Sequence, residues 1–193
     1  TRGYVGGLLD RRGGQLQPLS YARGLARAAI QAGARLHGST QALKLSRQGE
    51  GWRLDCSGGS IAAGQVLLAT NGYSDDLWPG LKRSVIPAMS YQIATRPLSD
   101  NLRRSILPEG HVTSDTRRLL AYYRLDHEGR LVLGGRGRFQ ESSNPRDFAH
   151  ILARLKELFP QLGAPEGAFF WAGRVALTLD HYPHLHELAP GLK

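Results

Sequence analysis

The sequence predicts a mixed fold in which an α/β region is followed by an α+β region with an antiparallel sheet. Residues 1–82 combine a clear helix with short strands and one apolar strand. Residues 83–168 contain longer strand-like runs with partial alternation and a second helix. A last strand pattern opens residues 169–193, where we expect the chain to return to the first region. We therefore predict two structural regions, the first of them built from both ends of the chain.

The clearest helix of the first region is Pro18–Ala32. Its apolar residues recur at helical spacing, proline suits the first turn of a helix, and Gly33 ends it. One short strand is expected on either side, at residues 4–9 and 34–37. The apolar positions of the helix are Leu19, Ala22, Ala26, Ala29 and Ile30.

Three short antiparallel strands are predicted next, separated by turn glycines. They are Gln41–Ser46, Trp52–Cys56 and Ser60–Ala63. The run Gln65–Ala69 is typical of a strand buried on both faces, and Asn71-Gly72 ends it. Ligands of α/β sheets bind at the carboxyl ends of strands, where small residues let the backbone come close to the ligand.

The second region is predicted to hold an antiparallel sheet and one helix. The strand-like runs, including the closing one, are Val85–Thr95, Leu119–Leu125, Arg130–Gly134 and Phe169–Leu179. The second and third of these runs form a hairpin across residues 126–129. The helix is Pro145–Phe159, with an apolar face and with Asn144 as its N-cap.

Composition argues against a membrane span and against a disulfide within the chain. Hydrophobic residues make up 41% of the chain and charged residues 21%, as in ordinary globular proteins. No apolar run reaches the roughly 18 residues that a spanning helix needs. Cys56 is the one cysteine, which fits a reducing compartment, and we expect a cytoplasmic protein.

The chain carries a net charge of +9, which could attract nucleic acid or another anion. Its basic residues, however, are scattered as pairs such as Arg103-Arg104 and Arg117-Arg118. None of them is interleaved with aromatic residues in a recognisable binding module. We favour a solvated, arginine-rich surface and expect no nucleic-acid partner.

Two motifs suggest ligand chemistry that we do not favour. Gly134–Gly137 resembles a phosphate loop, but neither a Lys-Ser/Thr pair nor a helix follows it, so we favour a strand that ends in flexible glycines. His184 and His186 would share one face of a strand, but Pro183 breaks the segment and no further ligands complete a set. We expect no metal there.

Tyr122 and Arg124 lie two residues apart on a predicted strand and so point to one face. A phenol and a guanidinium that converge on a cleft could bind a polar ligand. The pair is equally compatible with an aromatic residue in the core and an arginine at its rim. Spacing alone leaves both interpretations open.

Five segments, taken in order along nearly the whole chain, resemble the FAD-dependent amine and amino-acid oxidases. This family includes D-amino-acid oxidase, glycine oxidase, sarcosine oxidase and γ-glutamylputrescine oxidase. The segments are Gln17-Pro18 with the helix and Gly33-Ala34, the adenine-contacting stretch Ser39–Ala42, the "AT-G" turn Ala69–Gly72, the hairpin Gly129–Gly135, and Trp171–Arg174 followed by Thr178, Asp180 and Pro183.

The resemblance implies a partial FAD-binding, Rossmann-like domain and a substrate domain built on an antiparallel sheet. It implies oxidation of a C–N bond in a small amine or amino acid, with O₂ reoxidising the flavin and releasing hydrogen peroxide. The cofactor carries this chemistry, so no catalytic acid or base is assigned. The implied cofactor-binding residues are Ala42, Thr70, Asn71, Gly72, Gly173 and Asp180, and the implied substrate-binding residues are Tyr122, Arg124 and Arg174.

The segments ATNGY and WAGRVALTLDHYPHLHE are most similar to the γ-glutamylputrescine oxidase branch. In glycine oxidase, a substrate-carboxylate arginine lies on the corresponding strand, and its position here is Val175. Arg174 is one residue earlier, which on a strand points to the opposite face. The resemblance therefore implies an amine substrate rather than recognition of an α-carboxylate.

The sequence departs from the family pattern at both ends. The family begins with a strand and a G-x-G-x-x-G turn that binds the FAD pyrophosphate at a helix N-terminus, and this motif is absent. The family also continues past residues 180–187 into a glycine-rich segment. We therefore expect an internal fragment. The alternative is a basic binding module that keeps the fold but has neither cofactor nor enzymatic activity.

Overall fold

The computed structural model describes residues 3–193, and the chain divides into two compact units. One unit combines the residues up to Tyr21 with Ala88–Gly173. The other combines Ala22–Pro87 with Arg174–Lys193. Which unit carries which function stays a prediction, as do the domain limits at residues 82 and 168.

The elements follow one another in a mixed order along the chain. The helices are α1 (Pro18–Gln31), α2 (Asp100–Ile106) and α3 (Ala149–Leu158). The strands are β1 (Ala42–Gln48), β2 (Gly51–Cys56), β3 (Gly59–Ala63), β4 (Ile86–Pro97), β5 (Thr113–Ser114), β6 (Ala121–Leu125), β7 (Arg130–Arg136) and β8 (Gly167–Leu177). Short 3₁₀ turns lie at Asn71–Tyr73, Leu81–Arg83, Pro145–Phe148 and Pro160–Leu162. The predicted mixed fold with antiparallel sheets is confirmed.

The second unit contains the predicted three-stranded antiparallel sheet, in the order β1-β2-β3. Trp52 on β2 is 4% exposed and meets the edge of the Trp78 ring, with ring centroids 5.7 Å apart. Its indole Nε1 donates a hydrogen bond of 3.2 Å to the carbonyl oxygen of Pro190. The last residues of the chain are therefore anchored on this sheet.

Three strand predictions were wrong, two in this unit and one at residues 4–9 of the first unit. Residues 4–9 and 34–37 form no strand. The run 65–69 makes one parallel bridge, between Val66 and Leu192, and Leu67 is 64% exposed rather than buried on both faces. Residues 65, 67 and 69 are exposed and residues 66 and 68 are half-buried, so this run is not covered on both faces.

Helix α1 begins and ends where the sequence predicted, within one residue, but its apolar stripe is not buried. Leu19 and Ile30 are 54% and 55% exposed. Helical spacing therefore identified the helix correctly without showing what it packs against. No helix in residues 3–193 is both long enough and apolar enough to cross a membrane.

The first unit contains a five-stranded sheet in the order β5-β6-β7-β4-β8. The predicted β6–β7 hairpin is confirmed, with Tyr123 opposite Leu133. The predicted second helix is a 3₁₀ turn continued by α3, and the Asn144 side chain caps it by accepting a 3.1 Å hydrogen bond from the Arg146 amide.

Alternation along the strands gives this sheet two different faces. One face carries Ile93, Tyr123 and Leu133, which are at most 4% exposed and form a core with the buried residues of α3. Side chains at the intervening positions point to the opposite face. Tyr122 and Arg124 lie there, both half-buried and outside the core that α3 covers.

Candidate functional site

The predicted ligand-binding turn Asn71–Tyr73 is tied to strand β8 through one side chain. Asn71 has a φ of 50°, in the left-handed region that asparagine tolerates. Its Oδ1 accepts hydrogen bonds from the amides of Gly72, at 2.6 Å, and of Ala176, at 2.8 Å. One amide oxygen therefore fixes both the shape of the turn and its place beside β8.

Gly72 is buried against the β8 backbone. A Cβ at this position would lie 2.8 Å from the Arg174 Cβ and 3.0 Å from the Val175 nitrogen. The Tyr73 hydroxyl accepts a 3.2 Å hydrogen bond from the Arg174 amide, and the Arg174 guanidinium lies 5.5 Å from the centre of the Tyr73 ring. Packing against β8 is therefore sufficient to require glycine, independently of any ligand.

We expect Gly72→Ala to lower the free energy of unfolding by about 1–3 kcal/mol, the usual cost of overpacking a tight contact. Urea denaturation followed by circular dichroism measures this change. Gly58→Ala is the matched control, because a Cβ at Gly58 meets nothing within 4 Å and the position has no positive φ. Equal midpoints for the two variants would contradict the packing account.

An open cleft of about 710 Å³ lies in the second unit beside this turn. One wall is formed by the turn and by residues 81–85, and the other by the end of β8 and the segment after it. The residues that line the cleft include Asn71, Ser74, Ala176, Thr178, Asp180 and His184.

The segment after β8 is held in a compact turn around Asp180. Its Oδ1 accepts from the Tyr182 amide at 3.1 Å and contacts His184 Nε2 at 2.9 Å. The Thr178 hydroxyl donates to the Tyr182 carbonyl oxygen at 2.9 Å. The hydrogen bond from His184, followed by the one from the Tyr182 amide, lowers the pKa of Asp180 from 3.8 to about 2. Asp180 is therefore ionised at neutral pH.

We expect His184→Ala to raise the Asp180 pKa toward its ordinary value, because its first cause is removed. Carboxyl-carbon NMR across an acid titration measures this pKa directly. Since the pKa is depressed in the folded protein, Asp180 contributes stability above pH 3.8 and loses it as the pH falls toward 2. His186→Ala is the control: its ring stacks on His184 at 5.3 Å, and the Asp180–His184 bond stays in place. The same shift in both variants would contradict this assignment.

The two histidines of this segment stack on each other with an angle of 15° between their rings. Within residues 3–193, no group of three or more His, Cys, Asp or Glu side chains could hold a metal ion. His184 is instead paired with Asp180.

The other predicted cofactor residues are not among those that line this cleft. Ala42, at the start of β1, lines a second cleft of about 380 Å³ in the same unit, together with Asp75 and Asp76. The Thr70 hydroxyl is hydrogen bonded to that of Ser74 at 2.7 Å. Gly173 belongs to the first unit. The structure thus brings Asn71 and Asp180 to one cleft, and the cofactor roles stay predictions.

Tyr122 lies across β7 on the face of the first unit's sheet that is opposite the core covered by α3. Its ring passes over Gly134, and its hydroxyl is hydrogen bonded to that of Ser90 on β4. Burial raises the Tyr122 pKa, and the bond to Ser90 opposes this shift. The half-buried Arg124 lies on the same face. Sequence reasoning missed Ser90, because the contact spans a strand that was not predicted to lie between the two residues.

The same geometry explains two glycines of the GGRG motif. A Cβ at Gly134 would overlap the Tyr122 ring, and one at Gly137 would overlap the Tyr91 ring. Strand β7 runs through to Arg136. The motif is strand as far as Arg136, and Gly134 and Gly137 are packed against aromatic rings rather than forming a flexible strand end.

The family model described as "FAD dependent oxidoreductase", the DAO family, matches residues 1–192. This chain belongs to the DAO family. The probable oxidoreductase OrdL of Rhizobium meliloti (strain 1021) is 36% identical over 190 residues, which cover 98% of this chain and 44% of that protein. The γ-glutamylputrescine oxidoreductase of Escherichia coli (strain K12) is 32% identical over 187 residues, covering 96% and 43%.

The DAO-family assignment agrees with the fold. Glycine oxidase from Geobacillus kaustophilus superposes with a TM-score of 0.69 at 26% identity, covering 89% of this chain and 46% of that chain. The chain therefore spans about half the length of the DAO-family relatives it matches. The resemblance inferred from the five sequence segments is confirmed at the level of the family.

The cleft around Asp180 has a chemistry that fits one part of FAD. An ionised carboxylate repels a diphosphate but accepts hydrogen bonds from hydroxyl and N–H groups. Asn71 and Thr178 add neutral polar groups to the same cleft. The residues present therefore fit the ribityl chain or the ring of a flavin, and they do not fit its diphosphate.

Proposed function

We propose that this chain is part of an FAD-dependent oxidase that oxidises a C–N bond of a small amine or amino acid. The match of the DAO-family model over residues 1–192 carries this proposal. When bound, FAD supplies the two-electron acceptor for this oxidation, and O₂ reoxidises it to give hydrogen peroxide. Hydrolysis of the resulting imine gives a carbonyl product with ammonia or an amine.

In this proposal the second unit holds the cofactor. Asn71, Thr178 and Asp180 would contact the ribityl chain or the flavin ring, where the Asp180 carboxylate accepts from a hydroxyl or an N–H group. Ala42 would lie against the adenine, in the cleft beside Asp75. Thr70 and Gly72 would contribute small residues near the cofactor. A neutral adenine suits the second cleft better than a phosphate does, because its wall carries carboxylates.

The first unit would supply the substrate-binding face of its sheet. Tyr122 offers a hydroxyl and Arg124 a guanidinium on the side away from the hydrophobic core. Arg174, which lies against Tyr73 in the second unit, is a further candidate for substrate binding. Val175, at the position implied for a carboxylate-binding arginine, cannot pair with an α-carboxylate. We therefore propose an amine of the γ-glutamylputrescine type as the substrate.

We further propose a cytoplasmic enzyme that does not act on nucleic acid. The single cysteine, Cys56, is not in a disulfide, which suits a reducing compartment. The charge of +9 leaves a basic binding module as the second candidate function. A flavin-free gene product that bound duplex DNA with a steep salt dependence would support that candidate instead.

A substrate panel tests the proposed specificity. The full gene product is assayed for peroxide release with polyamines, their γ-glutamyl derivatives and D-amino acids. We expect turnover of an amine and an increase in KM of about tenfold or more in Arg124→Met for substrates with an anionic tail, since bonds to charged groups contribute about 1.5–3 kcal/mol. Arg104→Met, on the exposed helix α2, is the control. Strict preference for free amino acids would contradict the inference from Val175.

A further inference from the structure

The hydroxyl of Tyr122 is held by a contact that crosses three strands. Tyr122 lies on β6, and its pairing partner on β7 is Gly134. Gly134 also pairs with Gln92 on β4, and Ser90 is two residues from Gln92 on the same side of that strand. The Tyr122 ring reaches Ser90 by lying over Gly134, where any other residue would place a Cβ in its path.

We propose that Ser90 and Gly134 are positioning residues that fix the orientation and hydrogen bonding of the Tyr122 hydroxyl on the substrate-facing side of the sheet. The proposal deepens the oxidase function and rests on it for the role of Tyr122 toward substrate. Gly134 keeps the phenol flat along the sheet. Ser90 makes one hydrogen bond to the Tyr122 phenol oxygen. A phenol hydroxyl can both donate and accept, so it can still form a second hydrogen bond to a ligand.

Burial of Tyr122 and the charge of its neighbours indicate that the Ser90–Tyr122 contact has a role beyond packing. Tyr122 is largely removed from solvent, and a buried hydroxyl without a partner is costly, so the Ser90 bond selects one orientation of the ring. Two guanidinium groups, those of Arg124 and Arg136, lie at neighbouring positions of this face, whereas Arg130 is paired with Asp126 and Glu128. The hydroxyl pair therefore lies in a positively charged setting that would attract the anionic end of a substrate.

The test compares Ser90→Ala, Ser90→Thr and Gly134→Ala in the full gene product. NMR of ¹³Cζ-labelled tyrosine, assigned with Tyr122→Phe, reports the state of the hydroxyl without requiring turnover. The Ser90 bond lowers the Tyr122 pKa, so Ser90→Ala should move ionisation to higher pH, and Ser90→Thr should restore it. Ser105→Ala, whose hydroxyl bonds within exposed helix α2, should leave the Tyr122 signal unchanged.

Steady-state kinetics on the same variants test the role toward substrate. Loss of one neutral hydrogen bond corresponds to roughly a threefold to tenfold change, so KM should rise by about that factor in Ser90→Ala while kcat changes less. Ser90→Thr should retain the parent KM. Gly134→Ala should raise KM further, because it displaces the ring itself, and thermal unfolding shows whether that variant is folded.

The NMR titration and the kinetic measurements together distinguish failure of the positioning role from failure of the oxidase function. A gene product that releases no peroxide with any amine or amino acid would refute the oxidase, and the NMR arm would still decide whether Ser90 sets the state of Tyr122. An active enzyme in which Ser90→Ala leaves both the Tyr122 titration and KM unchanged would overturn the positioning role and leave the oxidase intact.

Discussion

Replacing Phe148 with alanine is expected to lower the free energy of unfolding by about 3–5 kcal/mol, the range for deleting a buried aromatic side chain. Phe148 is 0% exposed, at the junction of the 3₁₀ turn and α3. Its ring packs against Tyr91 with centroids 4.6 Å apart and against Phe170 at 5.3 Å. The cavity would open between the helix and the sheet whose other face carries Tyr122. Urea denaturation measures the change.

Phe139→Ala is the matched control for this prediction. It removes a phenylalanine side chain from the same unit, but Phe139 is 95% exposed. Its removal should therefore change the free energy of unfolding by no more than about 0.5 kcal/mol. A Phe148→Ala variant as stable as the Phe139→Ala variant would mean that the described core of the first unit is wrong.

The second large effect is expected at Asp115, whose side chain is 2% exposed. Its carboxylate accepts from the Ala121 amide at 2.9 Å and from the Tyr4 hydroxyl at 3.3 Å, and it lies 3.5 Å from Arg154 Nη2. Asp115→Ala removes the acceptor of the Ala121 amide and the Tyr4 hydroxyl and one of the two carboxylates beside Arg154. Breaking a buried pair costs about 3–5 kcal/mol, and we expect about 3 kcal/mol, since Arg154 keeps Glu157 as a partner.

This change is measured in the same denaturation experiment, against Asp100→Ala. Asp100 also pairs with an arginine, Arg103, but its side chain is 67% exposed and solvent screens the pair. The control should unfold near the parent midpoint. If Asp115→Ala did the same, the Asp115 cluster would have no structural role, and the anchoring of Tyr4 to the first unit would lose its main support.

The elements that the sequence predicted well are those with local signals. The β6–β7 hairpin has alternating residues on both sides of a four-residue turn, and Gly129 adopts the positive φ that such a turn needs. The start of the second predicted helix is signalled by Asn144, which caps it, and by the proline that follows. Both signals lie within two residues of the helix start. Such features depend on neighbours along the chain, so a single sequence contains them.

The features that were missed depend on distant contacts or on too few residues. Helix α2 has seven residues, and Ile106 is the buried residue among them. A helix this short shows no helical period in its sequence. The bond from Ser90 to Tyr122 requires β7 to lie between their strands. The exposure of α1 and of Leu67 depends on what packs against them, and residue periodicity does not report this.

The candidate site was predictable in part because the resemblance supplied positions that spacing alone could not. Asn71 and Asp180 were both expected at a cofactor, and the structure brings them to one cleft. From the sequence alone, the glycine at position 72 is predicted to allow the close approach of a cofactor. The structure shows contact with the β8 backbone, a cause that only the three-dimensional packing reveals.

The most direct test of the central claim is the flavin content of the purified full gene product and its response to substrate. We expect stoichiometric FAD, loss of the oxidised-flavin absorbance when an amine substrate is added without O₂, and recovery of that absorbance with peroxide release when O₂ is admitted. A folded gene product without flavin, or with a flavin that none of the amines and amino acids reduces, would contradict it.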